Sequence, residues 1–235
     1  TIQPGTVIKF QTPSNGYGDK CLIVLGSLKA EGTVNNPIVF TSSRDDNYGG
    51  DSNNDQASTL PAARNWGYVK LASNEGSVNL LRHCILKYGG YRYDEIGNTN
   101  YSHPYQLWIT NSSTEIDNCT LENFYEDGIK AVTNNITGIT NNTIKGNNRG
   151  SGIAYQGIGG KIEFNTISEV VTGIHYQGNG VNHPQQDVLL GNKIEACTNG
   201  IHLNNSKDIL LKNNTIKDLS AYPFVQEGFS FPVFE

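Results

Sequence analysis

The stretch "ITNNTI" at residues 139–144 recurs in altered form along the chain. "IDNCTL" (116–121), "IEFNTI" (162–167), "LLGNKI" (189–194) and "LKNNTI" (211–216) share its pattern, as does an earlier "LRHCIL" (81–86). Apolar residues hold the first and last places. The fourth place is Cys84, Cys119, Asn142, Asn165, Asn192 and Asn214, at spacings of 35, 23, 23, 27 and 22 residues. A second mark follows downstream: "GIKA" (128–131), "GIAY" (152–155), "GIHY" (173–176) and "GIHL" (200–203). Short apolar pieces at this period, separated by Asn, Gly and Ser, read as strands and turns. A repeat of about 22–27 residues carrying strands is the mark of a β-solenoid, one repeat to one coil. The two apolar ends then point inward. The fourth-place residues stack in a column, where an Asn can bond its neighbours above and below as a ladder. Cys84 and Cys119 head the same column and are expected as free buried thiols.

Composition excludes several function classes. The 17 Lys and Arg are scattered through a chain of net charge −5, without the basic stripe of a nucleic-acid binder or a polybasic membrane patch. No apolar run approaches the ~20 residues of a membrane span, so membrane insertion is not expected. The four cysteines form no C-x-x-C pair, which argues against a zinc ribbon or dithiol redox site. The chain starts at Thr1 and contains no Met; it reads as a segment of a larger chain. One domain, 1–235, is expected: irregular coils over 1–76 with an acidic loop at 45–56, regular coils over 77–221 with insertions at 88–106 and 177–186, and an incomplete or capping coil at 222–235.

The early coils read "TVIKF" (6–10), "CLIVLGSLKAEG" (21–32) and "NPIVFTS" (36–42), then the acidic loop, then "NWGYVKL" (65–71). This succession resembles the right-handed parallel β-helix repeat proteins of bacterial cell surfaces and secretions, over nearly the whole chain. The resemblance implies an all-β, single-stranded right-handed parallel β-helix and an extracellular or cell-surface location. The chain departs from such proteins at Gln56, where a Gly tends to follow the last Asp of the loop.

Three places carry candidate chemistry. In "DDNYGGDSNNDQ" (45–56), Asp51, Asn53 and Asp55 alternate as oxygen ligands do in calcium loops, and Asp45 and Asp46 lie across a Gly-Gly bend. The absence of His and Cys there argues against zinc. A structural Ca2+ pinning the excursion is the expectation. The insertion at 88–106 brings Tyr91, Arg92, Tyr93, Tyr101 and His103, groups that stack on sugar rings and bond hydroxyls. On the G-I strands the residue after Ile points outward, giving an outer column of Trp108, Lys130, Ala154, His175 and His202. Together these suggest an extracellular module that binds polysaccharide or another surface, with a polysaccharide or cell-surface glycan as the expected partner. A polysaccharide lyase, epimerase or hydrolase, and a rigid spacer within a larger surface protein, are the alternatives. No paired column of Asp was found for an enzyme, so no catalytic residue is assigned.

Overall fold

In the computed structural model, residues 1–12, 14, 19–72, 77–90, 92–96, 99–134, 137–180, 186–228 and 230–234 are described, with 92–96, 99–103 and 231 as backbone only. Among the described residues there are 26 strands and no helix. Twenty-four of the strands form three sheets of eight, every pair parallel; the other two form an antiparallel hairpin. Each coil visits the three sheets in the same order. The ladder sheet holds Cys84–Lys87, Thr120–Glu122, Thr143–Lys145, Thr166–Ser168, Lys193–Glu195 and Thr215–Lys217 after two earlier strands. A long-strand sheet follows, with Val69–Ala72, Tyr105–Thr110, Asp127–Thr133, Ser151–Gly157, Thr172–Gln177 and Asn199–Asn204. A third sheet, including Val78–Arg82, Ser113–Asp117 and Thr137–Thr140, closes the coil.

The inward positions are those the repeat marks. Leu81, Leu86, Ile116, Leu121, Ile139, Ile144, Ile162, Ile167, Leu189 and Ile194 are all fully buried. On the long-strand sheet Leu107, Ile129, Ile153, Ile174 and Ile201 stack in one register column. Each contributes about 1.5–3 kcal/mol by leaving water. The Asn ladder runs as its chemistry requires. The backbone N–H of Cys119, Asn142, Asn165 and Asn192 each donates to the Oδ1 of the Asn one coil on, at 2.8–3.1 Å. Each Asn Nδ2 also donates to a carbonyl of the preceding coil. The four cysteines are free thiols. The Cys84 and Cys119 thiols instead reach backbone carbonyls.

Sharp corners come from left-handed residues. The place before the ladder residue is His83, Asn118, Asn141, Phe164, Gly191 and Asn213, all with φ between 46 and 62°. Asn and Gly tolerate this conformation; Phe164 does so at a cost. At the entry to the long strands that carry a Gly there, Gly128, Gly152, Gly173 and Gly200 leave no room for a side chain. A Cβ on Gly152 would meet Ile167 Cγ2 at 2.4 Å and the Gly173 carbonyl at 2.9 Å.

The excursions leave at defined corners. Residues 43–64 and the hairpin Arg92–Ile96/Thr99–His103 both lie between the ladder and long-strand sheets, on consecutive coils. The insertion is shorter than expected, since Tyr105 and Gln106 already belong to the long-strand sheet. Their bases are joined: Asn65 N donates to Tyr88 O at 3.0 Å and Gly90 N to Gly67 O at 2.6 Å. Trp66 is fully buried, stacks on Phe10 at 4.3 Å and donates Nε1 to Lys87 O at 2.7 Å. The excursion around 177–186 leaves from a different corner, between the long-strand and third sheets. At the end of the stack, Phe224–Glu227 and Phe231–Phe234 pair with Asn199–Asn204 and Lys207–Lys212, adding two sides of a further coil.

Candidate functional site

Two places gather chemistry-bearing groups. The first is the acidic loop. Among the described residues, the one group of three or more His, Cys, Asp or Glu whose ligating atoms all lie within 4.8 Å of one another is Asp46, Asp51 and Asp55. The Oδ1 atoms of Asp46, Asn53 and Asp55 are shielded from solvent and have no hydrogen-bond partner. Such orphaned oxygens are costly. The loop is otherwise well bonded. Asp51 accepts from Asp55 N at 3.1 Å and Gln56 N at 2.9 Å. Asn53 donates Nδ2 to Asp55 Oδ2 at 2.8 Å, which turns its oxygen the other way. Gln56 has φ of 54°, the conformation that makes Gly the expected residue there. Hydrogen bonds, chiefly from Thr59, hold the Asp55 carboxyl below the usual carboxylate range despite some desolvation.

Asp45, expected among the ligands, is not in this group. It is fully buried, and its two oxygens accept from Thr41 Oγ1 at 2.6 Å and from Asn47 N and Nδ2 at 3.3 and 3.1 Å. It holds the first turn of the loop. Ca2+ takes six to eight oxygens at about 2.3–2.6 Å; the three converging carboxylates of Asp46, Asp51 and Asp55 could furnish part of such a shell.

The second place is the outer face of the long-strand sheet. Trp108, Lys130, Ala154, His175 and His202 are consecutive register partners. Upstream the column continues through Lys70 and Ile23, downstream through Val225. Lys70 Nζ lies 3.5 Å from the Trp108 ring centroid, a cation–π contact. Tyr68 and Tyr105 meet the same indole edge-on, both at 5.5 Å. Burial holds Lys130 below the usual ammonium range, opposed by Asp127. Burial also raises Asp127, which accepts from Ser151 N at 2.7 Å. Desolvation, then His202 and Lys130, holds His175 below the usual imidazole range. At the corner beside this face the Tyr125 ring lies against two guanidinium groups, Arg64 at 4.5 Å and Arg149 at 4.9 Å.

Arg92, Tyr93, Tyr101 and His103 sit on the hairpin, where only backbone is described, and Tyr91 lies outside the described residues. Sequence reasoning missed Lys70, Tyr68, Asp127 and the two arginines. Aligning "GYVKL" (67–71) with "YQLWI" (105–109) would have placed Lys70 over Trp108. The Tyr125 cluster joins residues far apart in sequence, and no periodic signal marks it.

No curated protein and no solved structure matches the chain. A family model described as right handed beta helix region matches residues 84–231, well over half the chain and the same coils that carry the ladder. With three parallel sheets wound around one stack of inward Ile and Leu, the chain belongs to the right handed beta helix family.

Proposed function

We propose that this chain is an extracellular, bacterial β-helix module that binds polysaccharide along its long-strand face and carries a structural calcium ion in its acidic loop. The observation that carries the binding reading is the Trp108 platform. Its indole is held by Lys70 and by two tyrosines in the middle of an unbroken register column. An aromatic plane fixed in advance costs little entropy on binding and suits the apolar face of a sugar ring. Affinity electrophoresis and glycan arrays with plant and bacterial polysaccharides test this. Trp108→Ala should fold as the parent does and lose at least about tenfold in affinity, the equivalent of 1.4 kcal/mol. Silence across the arrays, or unchanged binding by Trp108→Ala, would overturn it.

The orphaned oxygens of Asp46, Asn53 and Asp55 support the calcium part. The ion would pin a long excursion and would have no chemical role. Calorimetry should give one calcium per chain, with a melting temperature that falls on chelation. Asp51→Asn combined with Asp55→Asn should abolish both effects. No uptake of heat and an unchanged melting temperature would dismiss the ion.

A catalytic reading has one observation in its favour: Asp127 and Lys130, three residues apart on one strand and within reach of each other's charge, are both desolvated and shifted toward neutrality. An ultraviolet assay for unsaturated product on uronan substrates separates enzyme from binder.

A further inference from the structure

His175 and His202 hold the same place on consecutive strands. Their rings stack with centroids 4.7 Å apart and planes within 13°. The Nε2 of each is shielded from solvent and has no hydrogen-bond partner. Glu227 Oε2, one coil further on, lies 3.3 Å from His202 Nε2: ion-pair distance, without the alignment of a hydrogen bond. Shielded ring nitrogens without partners call for an explanation, and an ion is one. Two imidazoles and a carboxylate on three successive coils form a mixed N/O donor set. That set selects a borderline divalent ion such as zinc, nickel or copper, whereas calcium prefers oxygen alone.

We propose that His175, His202 and Glu227 form a binding site for a divalent transition-metal ion, with zinc as the test case. Parallel rings on neighbouring strands hold their Nε2 atoms about one strand spacing apart, ~4.8 Å. Tetrahedral zinc at about 2.05 Å from each nitrogen needs them ~3.3 Å apart. Reaching that distance takes the two rings out of their parallel stack so that their lone pairs converge, and it draws Glu227 in, because the three donor atoms do not all lie within 4.8 Å of one another. The Glu227 side chain is 57% exposed and free to follow. Lys130 lies two lines up the column, beyond Ala154, and stands near Asp127, though its charge still reaches His175. The site does not depend on glycan binding by the same face, and its test contains no glycan.

Zinc chloride is titrated calorimetrically into the whole chain with calcium present in excess to fill the acidic loop. The expected result is one zinc per chain, abolished in His175→Ala and in His202→Ala and weakened in Glu227→Gln. Cobalt in place of zinc should give the strong visible band of a tetrahedral site. Circular dichroism of the metal-free variants checks folding. If a histidine variant fails to fold, the imidazole 15N shifts of the parent protein decide, since both Nε2 resonances must move on adding zinc. Absence of zinc uptake, uptake undiminished in both histidine variants, or uptake lost only in Asp51→Asn combined with Asp55→Asn would overturn the site.

Discussion

Replacing Asn165 by Ala tests the ladder at a rung that, like Asn192, is bonded on both sides. The Asn165 side chain makes four hydrogen bonds: Oδ1 accepts from Asn142 N and Nδ2, both at 3.0 Å, and Nδ2 donates to Ile139 O at 2.8 Å and Asn192 Oδ1 at 3.0 Å. Alanine removes all four. It leaves the Asn142 N–H, one Asn142 amide hydrogen and one lone-pair direction of Ile139 O facing a dry gap. At about 1 kcal/mol for each bond lost the cost is ~4 kcal/mol. For a chain of this size that is a fall of about 10 °C in melting temperature. Thr143→Ala is the control: it lies one place past the neighbouring rung with its side chain exposed, and should change stability by no more than about 0.5 kcal/mol. Melting followed by circular dichroism, with urea midpoints alongside, measures both. A drop below about 3 °C in Asn165→Ala, comparable with the control, would refute the view that the column is held by its side-chain amides.

Four further outcomes follow from the glycines, the corners and the outer charges. Gly152→Ala should cost about 3 kcal/mol in urea unfolding, because its Cβ meets Ile167 and the Gly173 carbonyl. Gly138→Ala, with open space around its Cβ, should instead stabilise by about 0.5 kcal/mol. Phe164→Asn, which replaces a left-handed Phe with the residue used at Asn118, Asn141 and Asn213, should add about 1 kcal/mol to stability in the same assay. Arg82 reaches Glu31, Glu115 and Asp117 on the coils either side. Burial pushes Asp117 up, but hydrogen bonds from Asn141, Asn118, Thr140 and Arg82 outweigh it and hold the carboxyl below its usual range. A depressed carboxyl stabilises above its unfolded value of about 3.9 and loses that contribution as pH falls through the folded value. In Arg82→Met the difference in melting temperature between neutral and acid solution should therefore narrow; an unchanged difference would show that Arg82 plays no part.

The fold was legible because its physics is periodic. A coil must return its inward Ile and its ladder Asn to the same place each turn, so sequence spacing carries the architecture directly. The outer column was legible for the same reason: strand alternation places Trp108, Lys130, His175 and His202 on one face once Ile129, Ile174 and Ile201 are known to point in. The excursions obey no period. Nothing local says that Asp45 turns inward to Thr41 while Asp46 joins Asp51 and Asp55, since adjacent residues of the same type differ there only in where the backbone turns. Glu227 was equally hidden, because its meeting with His202 depends on how the last strands pair. Gln106 is fully buried with both ends of its amide unpartnered, at the place where later coils carry Gly. Its apolar neighbours in sequence, Leu107 and Ile109, give no sign of that position.

The long-strand face is a grating of fixed pitch, about 4.8 Å from line to line, yet hardly any two adjacent lines carry the same chemistry. Reading down the column gives Ile23, Lys70, Trp108, Lys130, Ala154, His175, His202 and Val225. A uniform polymer laid along it would meet the same spacing at every step but a different side chain at almost every line. Such a surface measures position: a chain can approach anywhere along it, and sliding by a single line exchanges an indole for an ammonium or an imidazole for a methyl group. Deleting one whole coil would preserve the fold and the pitch while shifting every downstream line by one, a frameshift written in three dimensions.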